Sequence, residues 1–469
     1  MTIWQPSLSG RKGPKFRQIS DAIGESVANG RLPRGARLPP QRDLAFALGV
    51  SLNTVSRAYA DAVGRGFVRG EVGRGTYVRA SGSLATEAPA AQLTRPSSGP
   101  IDFSVNLPAP GQAAAALARS LTALSEAKAL SAFLDYQPPG GHGHRDRDRQ
   151  RETAAQWLAR TGLKTSPANI VLTAGAQHGI MVAFLATMRP GDVLLTEPLT
   201  YAPVKAMAHH LGLKLLPVEG DGGMLGPGAL DAACQRAAAK VLYCLPTLHT
   251  PTTATLDADR RSAIAAVARK HGLTIVEDDV FGMLPPDRPP PLAAFAPERT
   301  IYVTSVSKSL APGLRVGHIH APPEKVRALR NAVSLSSWMP PPLMVEIAAR
   351  WIEDGTADAL NAFQREEAAA RQTMARDLIP EDHLHADPHG FHVWLTLPPH
   401  WHADVFRMEA ENRGVKIVTG GAFAARPSDS PNAVRLCLSH EITRARVREG
   451  LVAVAELLRS ADGKGSMIL

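Results

Sequence analysis

Lys308 closes the run T-I-Y-V-T-S-V-S-K that starts at Thr300. Ile301 to Thr304 is apolar and β-branched, the length of one buried parallel strand. Open α/β sheets hold their ligands at the carboxyl ends of such strands. A lysine leaving a buried strand beside Ser305 and Ser307 loses solvation and can form a Schiff base with a carbonyl compound. Seven residues on, past the Pro312-Gly313 turn, Arg315 can bring a guanidinium back toward a phosphate.

Four other pieces suit the same chemistry. Thr173 to Gln177 joins a strand to a helix, so the backbone N–H groups of Gly175, Ala176 and Gln177 can receive an anion. Tyr201 follows a strand and can offer a ring face to a flat ligand. Glu277-Asp278-Asp279 closes the strand L-T-I-V, and a carboxylate there can keep a pyridine nitrogen protonated. Arg435, in N-A-V-R-L-C-L, can grip a carboxylate with both arms of its guanidinium.

Positioning these residues requires alternating strands and helices. Strand patterns fall at Ile170–Leu172, Val193–Leu195, Leu213–Val218, Val241–Leu245, Leu273–Val276 and Ile301–Thr304. Helical patterns such as Ala176–Thr187, Leu230–Ala239 and Asp257–Lys270 lie between them. This alternation predicts an α/β unit with a mainly parallel sheet, its large lobe at about 150–322. From about 323 on, long helices and then the strand patterns Phe391–Leu397, Val415–Val418 and Ala433–Leu438 predict a smaller α+β lobe.

The first 80 residues read differently. They carry thirteen Lys/Arg against five acids, nearly the whole +9 excess of the chain, so a polyanion is expected at that end. Phe16, Ile19, Ile23 and Val27 recur at helical spacing, and Gly30 suits a C-cap. A proline-rich connector follows, then a short helix from Pro40. Gly49-Val50 makes a turn, and Ser51 is placed to cap a third helix. Phe67–Arg69 and Thr76–Val78 flank a glycine-rich tip and predict a β-ribbon. Three helices and a basic ribbon make a winged helix-turn-helix, whose third helix enters the major groove of double-stranded DNA. Leu52, Asn53, Ser56 and Arg57 are exposed in its first turn, and Arg42 and Arg74 are candidate base or phosphate contacts. Residues 81–100, rich in Ala, Ser, Pro and Thr, read as a linker to a unit at 101–469.

The totals agree. The 469 residues allow several domains, and 44% hydrophobic with 20% charged residues describes a globular protein with a core. No apolar run reaches the length of a membrane span, and no signal-peptide h-region opens the chain. Cys234, Cys244 and Cys437 form no C-x-x-C pair, which argues against a disulfide framework or a metal site and suits a reducing cytoplasm.

The string L-P-P-Q-R-D-L-A…L-G-V-S-L-N-T-V-S-R-A-Y resembles the N-terminal domain of GntR-type bacterial regulators. That resemblance implies that Arg42, Ser51, Asn53, Thr54 and Gly73 to Gly75 face DNA, although Leu52 stands where many relatives carry arginine. The rest of the chain resembles fold-type I PLP enzymes of the aspartate-aminotransferase class, and the whole resembles the MocR-type regulators that fuse the two. By that resemblance, Lys308 holds pyridoxal 5'-phosphate and Asp278 pairs with its pyridine nitrogen. Ser305, Arg315 and Gly175–Gln177 take the phosphate, and Tyr201 stacks on the ring. Tyr136 reaches the phosphate of a partner subunit, so a homodimer is implied. Arg435 takes the carboxylate of an amine or amino-acid effector.

Two positions depart from the enzymes. Thr250-Pro251-Thr252-Thr253 replaces N-P-T-G, removing the amide that reaches the phenolic oxygen of the cofactor. Phe281 replaces a tyrosine. Each lost charge-assisted bond is worth about 1.5–3 kcal/mol. The expectation is a PLP-binding regulator with little transaminase activity. The alternative is a working aminotransferase with an appended DNA-binding domain.

Overall fold

A computed structural model describes residues 4–6, 8, 13–28, 31–32, 36–64, 67–71, 75–78, 95, 98–136, 145–220 and 224–460. The chain divides into two compact units, Met1–Pro89 and Ala90–Leu469.

In the first unit, α1 (Lys15–Ala28), α2 (Gln41–Leu48) and α3 (Leu52–Gly64) precede an antiparallel ribbon of β1 (Val68–Glu71) and β2 (Gly75–Val78). The helical spacing of Ile19 and Ile23 puts both in a core with Leu44, Val55, Ala58 and Val68. Fully burying each aliphatic side chain stabilises the fold by about 1.5–3 kcal/mol. Gly49, at φ 62°, ends α2 and makes the tight turn into α3. The proline connector does more than link helices. Leu38 N–H donates to the Thr76 carbonyl (2.7 Å) and Val78 N–H to the Ala36 carbonyl (2.8 Å), giving the ribbon a third, short edge.

The second unit opens with β3 (Ile101–Asp102). The large sheet is built from β4 (Ile170–Thr173), β5 (Val193–Thr196), β6 (Lys214–Pro217), β7 (Ala239–Cys244), β8 (Thr274–Asp278), β9 (Thr300–Ser305) and β10 (Gly317–His320). Its order is β4-β10-β9-β8-β7-β5-β6. All strands run one way except β10, which pairs antiparallel with both β9 and β4. The strand patterns of the sequence do not include β10. Its His318 and His320 are buried, so a run that looks polar lies inside the sheet.

A smaller sheet of β11 (Leu384–Ala386), β12 (His392–Thr396), β14 (Val418–Thr419) and β15 (Ala433–Cys437) is antiparallel, in the order β11-β12-β15-β14. Beside it, β13 (Val415–Lys416) pairs parallel with β3, so the smaller lobe takes its first strand from the start of the unit. The helix Pro323–Ser337, expected to begin the smaller lobe, instead sends Val326, Leu329 and Val333 into the core under the large sheet. Its apolar stripe faces Ala176–Thr187, and burial against that helix outweighs its place in the sequence. No described helix is long and apolar enough to cross a membrane.

Candidate functional site

β10 explains how distant residues meet. Running opposite to its neighbours, it begins where β4 and β9 end, and Gly317 pairs with both Thr173 and Ser305. Arg315, two residues earlier, therefore stands beside the β4 turn, with its Nη2 donating to the Ala174 carbonyl at 3.0 Å. Gly175 has φ 86°, which favours glycine, and a Cβ there would lie 2.6 Å from Arg315 Nη2. Gly317 is tighter still, because an added Cβ would meet the backbone of Gly175 at 2.6 Å. Gly175 is the N-cap of the helix Ala176–Thr187, so the first N–H groups of that helix, Ser305 and the guanidinium form one anion cup.

The cup is one end of a cleft of about 200 Å³. Ala176, Gln177, Tyr201, Thr250, Asp278, Ser305, Lys308, Arg315 and Arg435 all line it, which brings nearly every expected ligand-binding residue together. Period two along the β8 end separates the three acids. Glu277 accepts from the N–H groups of Leu292 and Ala293 (2.8 and 2.9 Å), and Asp279 pairs with Arg288 at 2.5 Å. Asp278, between them, faces the cleft. Its Oδ2 accepts from the Tyr243 hydroxyl at 2.7 Å, while its buried Oδ1 has no hydrogen-bond partner among the described residues. Burial pushes the Asp278 carboxyl up to about 6, with the Tyr243 hydrogen bond opposing.

Lys308 lies three residues past β9. Burial pushes its ammonium down to about 8; Arg435 adds to the shift, while Cys437 and Asp278 oppose it. Its Nζ donates to the Asn106 carbonyl and stands 5.6 Å from the centroid of the Phe281 ring. Tyr201 precedes the helix Ala202–His210, and burial raises its phenol to about 12, so it stays neutral. Arg435, on β15, is buried. Its Nη2 donates to the Ser104 carbonyl at 2.8 Å, its guanidinium carbon lies 4.8 Å from the Phe423 centroid, and its Nε has no partner among the described residues.

These groups fit PLP. The bare Asp278 Oδ1 suits a pyridinium N–H, the cup suits a phosphate, and Lys308 suits the aldehyde. Arg435 remains for a second, carboxylate-bearing molecule. Thr250 and Phe281, the two residues read from the sequence as departures from the enzymes, both line the cleft.

Tyr136 is not part of this cleft. It is 78% exposed, with its ring 6.0 Å from that of Trp338. The sequence reading missed Asn106, which lines the cleft from a segment without periodicity, and Tyr243, which reads as core in a buried strand. It also missed His392, whose Nδ1 lies 3.4 Å from Asn106 Nδ2. A bare asparagine before Leu107-Pro108 carries no signal of its own.

In the first unit, Ser51 Oγ accepts from Thr54 N–H at 3.2 Å and lies 2.8 Å from the Thr54 hydroxyl, so it caps α3. Asn53 is exposed in the first turn of α3, and Arg42 is exposed on α2. Arg57 is exposed too, but its guanidinium stacks 4.4 Å from the Phe16 centroid, so DNA contact there competes with a cation–π interaction. Gly30, Gly73 and Arg74, and residues 81–94 of the expected linker, lie outside the described residues.

The cleft and sheet define an aminotransferase fold, and the first unit a winged helix. Residues 98–454 match the family "Aminotransferase class I and II", and residues 15–78 match "Bacterial regulatory proteins, gntR family". The chain belongs to the aminotransferase class I and II family and carries at its N-terminal end the gntR-type domain of bacterial regulatory proteins. It is 27% identical to the uncharacterized HTH-type transcriptional regulator YdeF of Bacillus subtilis (strain 168), over 97% of this chain and 96% of that one. It is 28% identical to the HTH-type transcriptional regulator TauR of Rhodobacter capsulatus, over 96% and 98%. Among solved structures, LysN of Thermus thermophilus aligns with a TM-score of 0.65 and 27% identity, over 77% of this chain and 92% of that one. LysN is an alpha-aminoadipate aminotransferase, solved in complex with N-(5'-phosphopyridoxyl)-L-leucine.

Proposed function

We propose that this protein is a PLP-dependent transcriptional regulator whose effector is a small amine or amino acid, or PLP itself, and that it acts on DNA in the cytoplasm as a homodimer. The observation that carries the reading is the meeting of Lys308, the bare Asp278 Oδ1 and Arg435 in one cleft of a chain whose other unit is a winged helix. When bound, PLP supplies an aldehyde carbon for condensation with amines and an electron-withdrawing ring. Asp278 holds the ring proton at Oδ1 while Tyr243 holds Oδ2. Gly175, Ala176, Gln177, Ser305 and Arg315 would hold the phosphate, and Tyr201 would face the ring. Lys308, with its lowered ammonium, supplies a larger neutral fraction near physiological pH than an ordinary lysine would. Arg435 exchanges the Ser104 carbonyl for the carboxylate of the effector.

Regulation follows if the liganded and free arrangements differ in DNA affinity, which needs only about 1–3 kcal/mol of coupling. Ser51, Asn53 and Thr54 present polar atoms at the start of α3, where a recognition helix reads bases, and Arg42 is exposed on α2. Tyr136, exposed in the single chain, is accessible to a second copy.

The test is an absorbance spectrum of the PLP-loaded protein against a panel of amino acids, paired with an operator mobility shift. The reading expects a band near the visible edge, altered by one class of amine, with a parallel change in operator affinity. A PLP-independent operator affinity and no band would reject it. Steady transfer of amino groups to 2-oxo acids at ordinary enzyme rates would favour an enzyme instead.

A further inference from the structure

Three residues lining the cleft keep a buried polar atom without a hydrogen-bond partner among the described residues: Asp278 Oδ1, Arg435 Nε and Asn106 Oδ1. The first suits a pyridinium N–H, and the second belongs to a guanidinium placed for a carboxylate. Asn106 Oδ1 is left over, because Lys308, Asp278 and the anion cup already answer the aldehyde, ring nitrogen and phosphate of PLP. Buried acceptors are seldom left bare, so this one calls for a donor from outside the protein.

His392 fixes which end of the Asn106 amide is the bare one. His392 Nε2 lies 3.4 Å from the His249 carbonyl, which can only accept, so Nε2 carries the ring proton. Burial lowers the imidazole to about 3, with Arg435 adding to the shift, so the ring is neutral and its Nδ1 is an acceptor. Nδ1 lies 3.4 Å from Asn106 Nδ2 and receives the amide N–H, which leaves Oδ1 on the side away from His392. The backbone that carries this amide is held by other side chains. The Leu107 carbonyl accepts from Ser439 Oγ, and Gln364 accepts from Ala109 N–H and donates to its carbonyl, both at 2.8 Å.

Asn106 also stands between the two cationic groups of the cleft. Its own carbonyl accepts from Lys308 Nζ, and the Ser104 carbonyl, two residues before, accepts from Arg435 Nη2 at 2.8 Å. A molecule with its carboxylate on Arg435 and its amine toward Lys308 passes Asn106, and the amine is the donor it can offer to Oδ1. We propose that Asn106 is a specificity-determining residue whose Oδ1 accepts a hydrogen bond from the amino group of an effector held by its carboxylate on Arg435. The effector is then an amino acid, and neither PLP alone nor an amine without a carboxylate. His392 is the positioning residue that keeps the amide in this orientation. The inference rests on the reading of the cleft as a PLP site in which Arg435 takes the effector carboxylate.

The test uses full-length, PLP-loaded protein and pairs of acids that form no Schiff base: lactate with propionate, malate with succinate, and phenyllactate with phenylpropionate. The hydroxyl of the first member stands in for the amino group as donor, and each acid is titrated by calorimetry. In at least one pair the hydroxy acid is expected to bind about fivefold or more tightly than its partner. Asn106→Ala is expected to bring that ratio below about twofold by weakening the hydroxy acid alone, and His392→Phe to lower it as well. Asn106→Asp keeps an acceptor at the position and is expected to retain the preference, which separates loss of the acceptor from misfolding. No hydroxy-acid preference in any pair, or one that persists in Asn106→Ala, overturns the proposal. Loss of the preference in Asn106→Asp would assign the bond to the amide N–H and overturn it too. Failure of the underlying reading shows separately, as no absorbance band when PLP is added or as undiminished affinity for every acid in Arg435→Leu.

Discussion

At the scale of single residues, Lys308 and Asp278 make opposing demands that the cleft meets by burial. Lowering an ammonium to about 8 enlarges the neutral fraction as pH rises through that value. PLP uptake by the apoprotein is therefore expected to quicken between about pH 7 and 9 and then level off. Stopped-flow absorbance measures this, and Lys308→Ala should lose the phase. Asp278→Asn removes the charge meant for the pyridinium, and PLP affinity is expected to fall by about 1.5–3 kcal/mol, read by equilibrium titration. Unchanged affinity would remove Asp278 from the site. Lys308 and Asp278 were legible in the sequence because each leaves a buried strand at its carboxyl end, and Arg435 because it is a charge inside an otherwise apolar strand. Tyr243 was not, since a tyrosine inside an apolar strand looks the same whether or not its hydroxyl holds a carboxylate. Asn106 was not either, because a segment held by side-chain hydrogen bonds to its carbonyls leaves no periodic pattern.

At the scale of elements, the antiparallel β10 does the most to assemble the site. The parallel strands could be read from β-branched runs, but β10 hides behind His318 and His320, whose burial only the finished sheet reveals. Gly317→Ala would drive a Cβ into the Gly175 backbone, and is expected to lower both stability and PLP affinity; thermal melts with and without PLP would show it. The N-P-T-G departure has a structural cost as well. Thr253 has φ 66°, a left-handed conformation that a β-branched residue rarely adopts. Thr253→Gly is expected to stabilise the protein by about 1 kcal/mol, measured by denaturant midpoint. The lobe boundary was harder to place from sequence, because the helix Pro323–Ser337 packs under the large sheet while β3 supplies the smaller lobe.

At the scale of the whole molecule, charge and motif already separated a gntR-type end from an aminotransferase-like body, and the fold of each unit follows its local pattern. Arg42→Ala is expected to weaken operator binding by about 1–3 kcal/mol if Arg42 reads a base, and the loss should persist across a salt series. Leu335, Trp338 and Tyr136 are exposed outside the cleft, and in the proposed homodimer they are the apolar side chains that a second copy would cover. Leu335→Asp is accordingly expected to shift sedimentation from dimer toward monomer. Covalent capture of PLP by one amine is the event on which regulation by this cleft depends. Borohydride reduction of the PLP-loaded protein followed by peptide mapping should place the phosphopyridoxyl group on Lys308; an unmodified Lys308 in cofactor-saturated protein would contradict it.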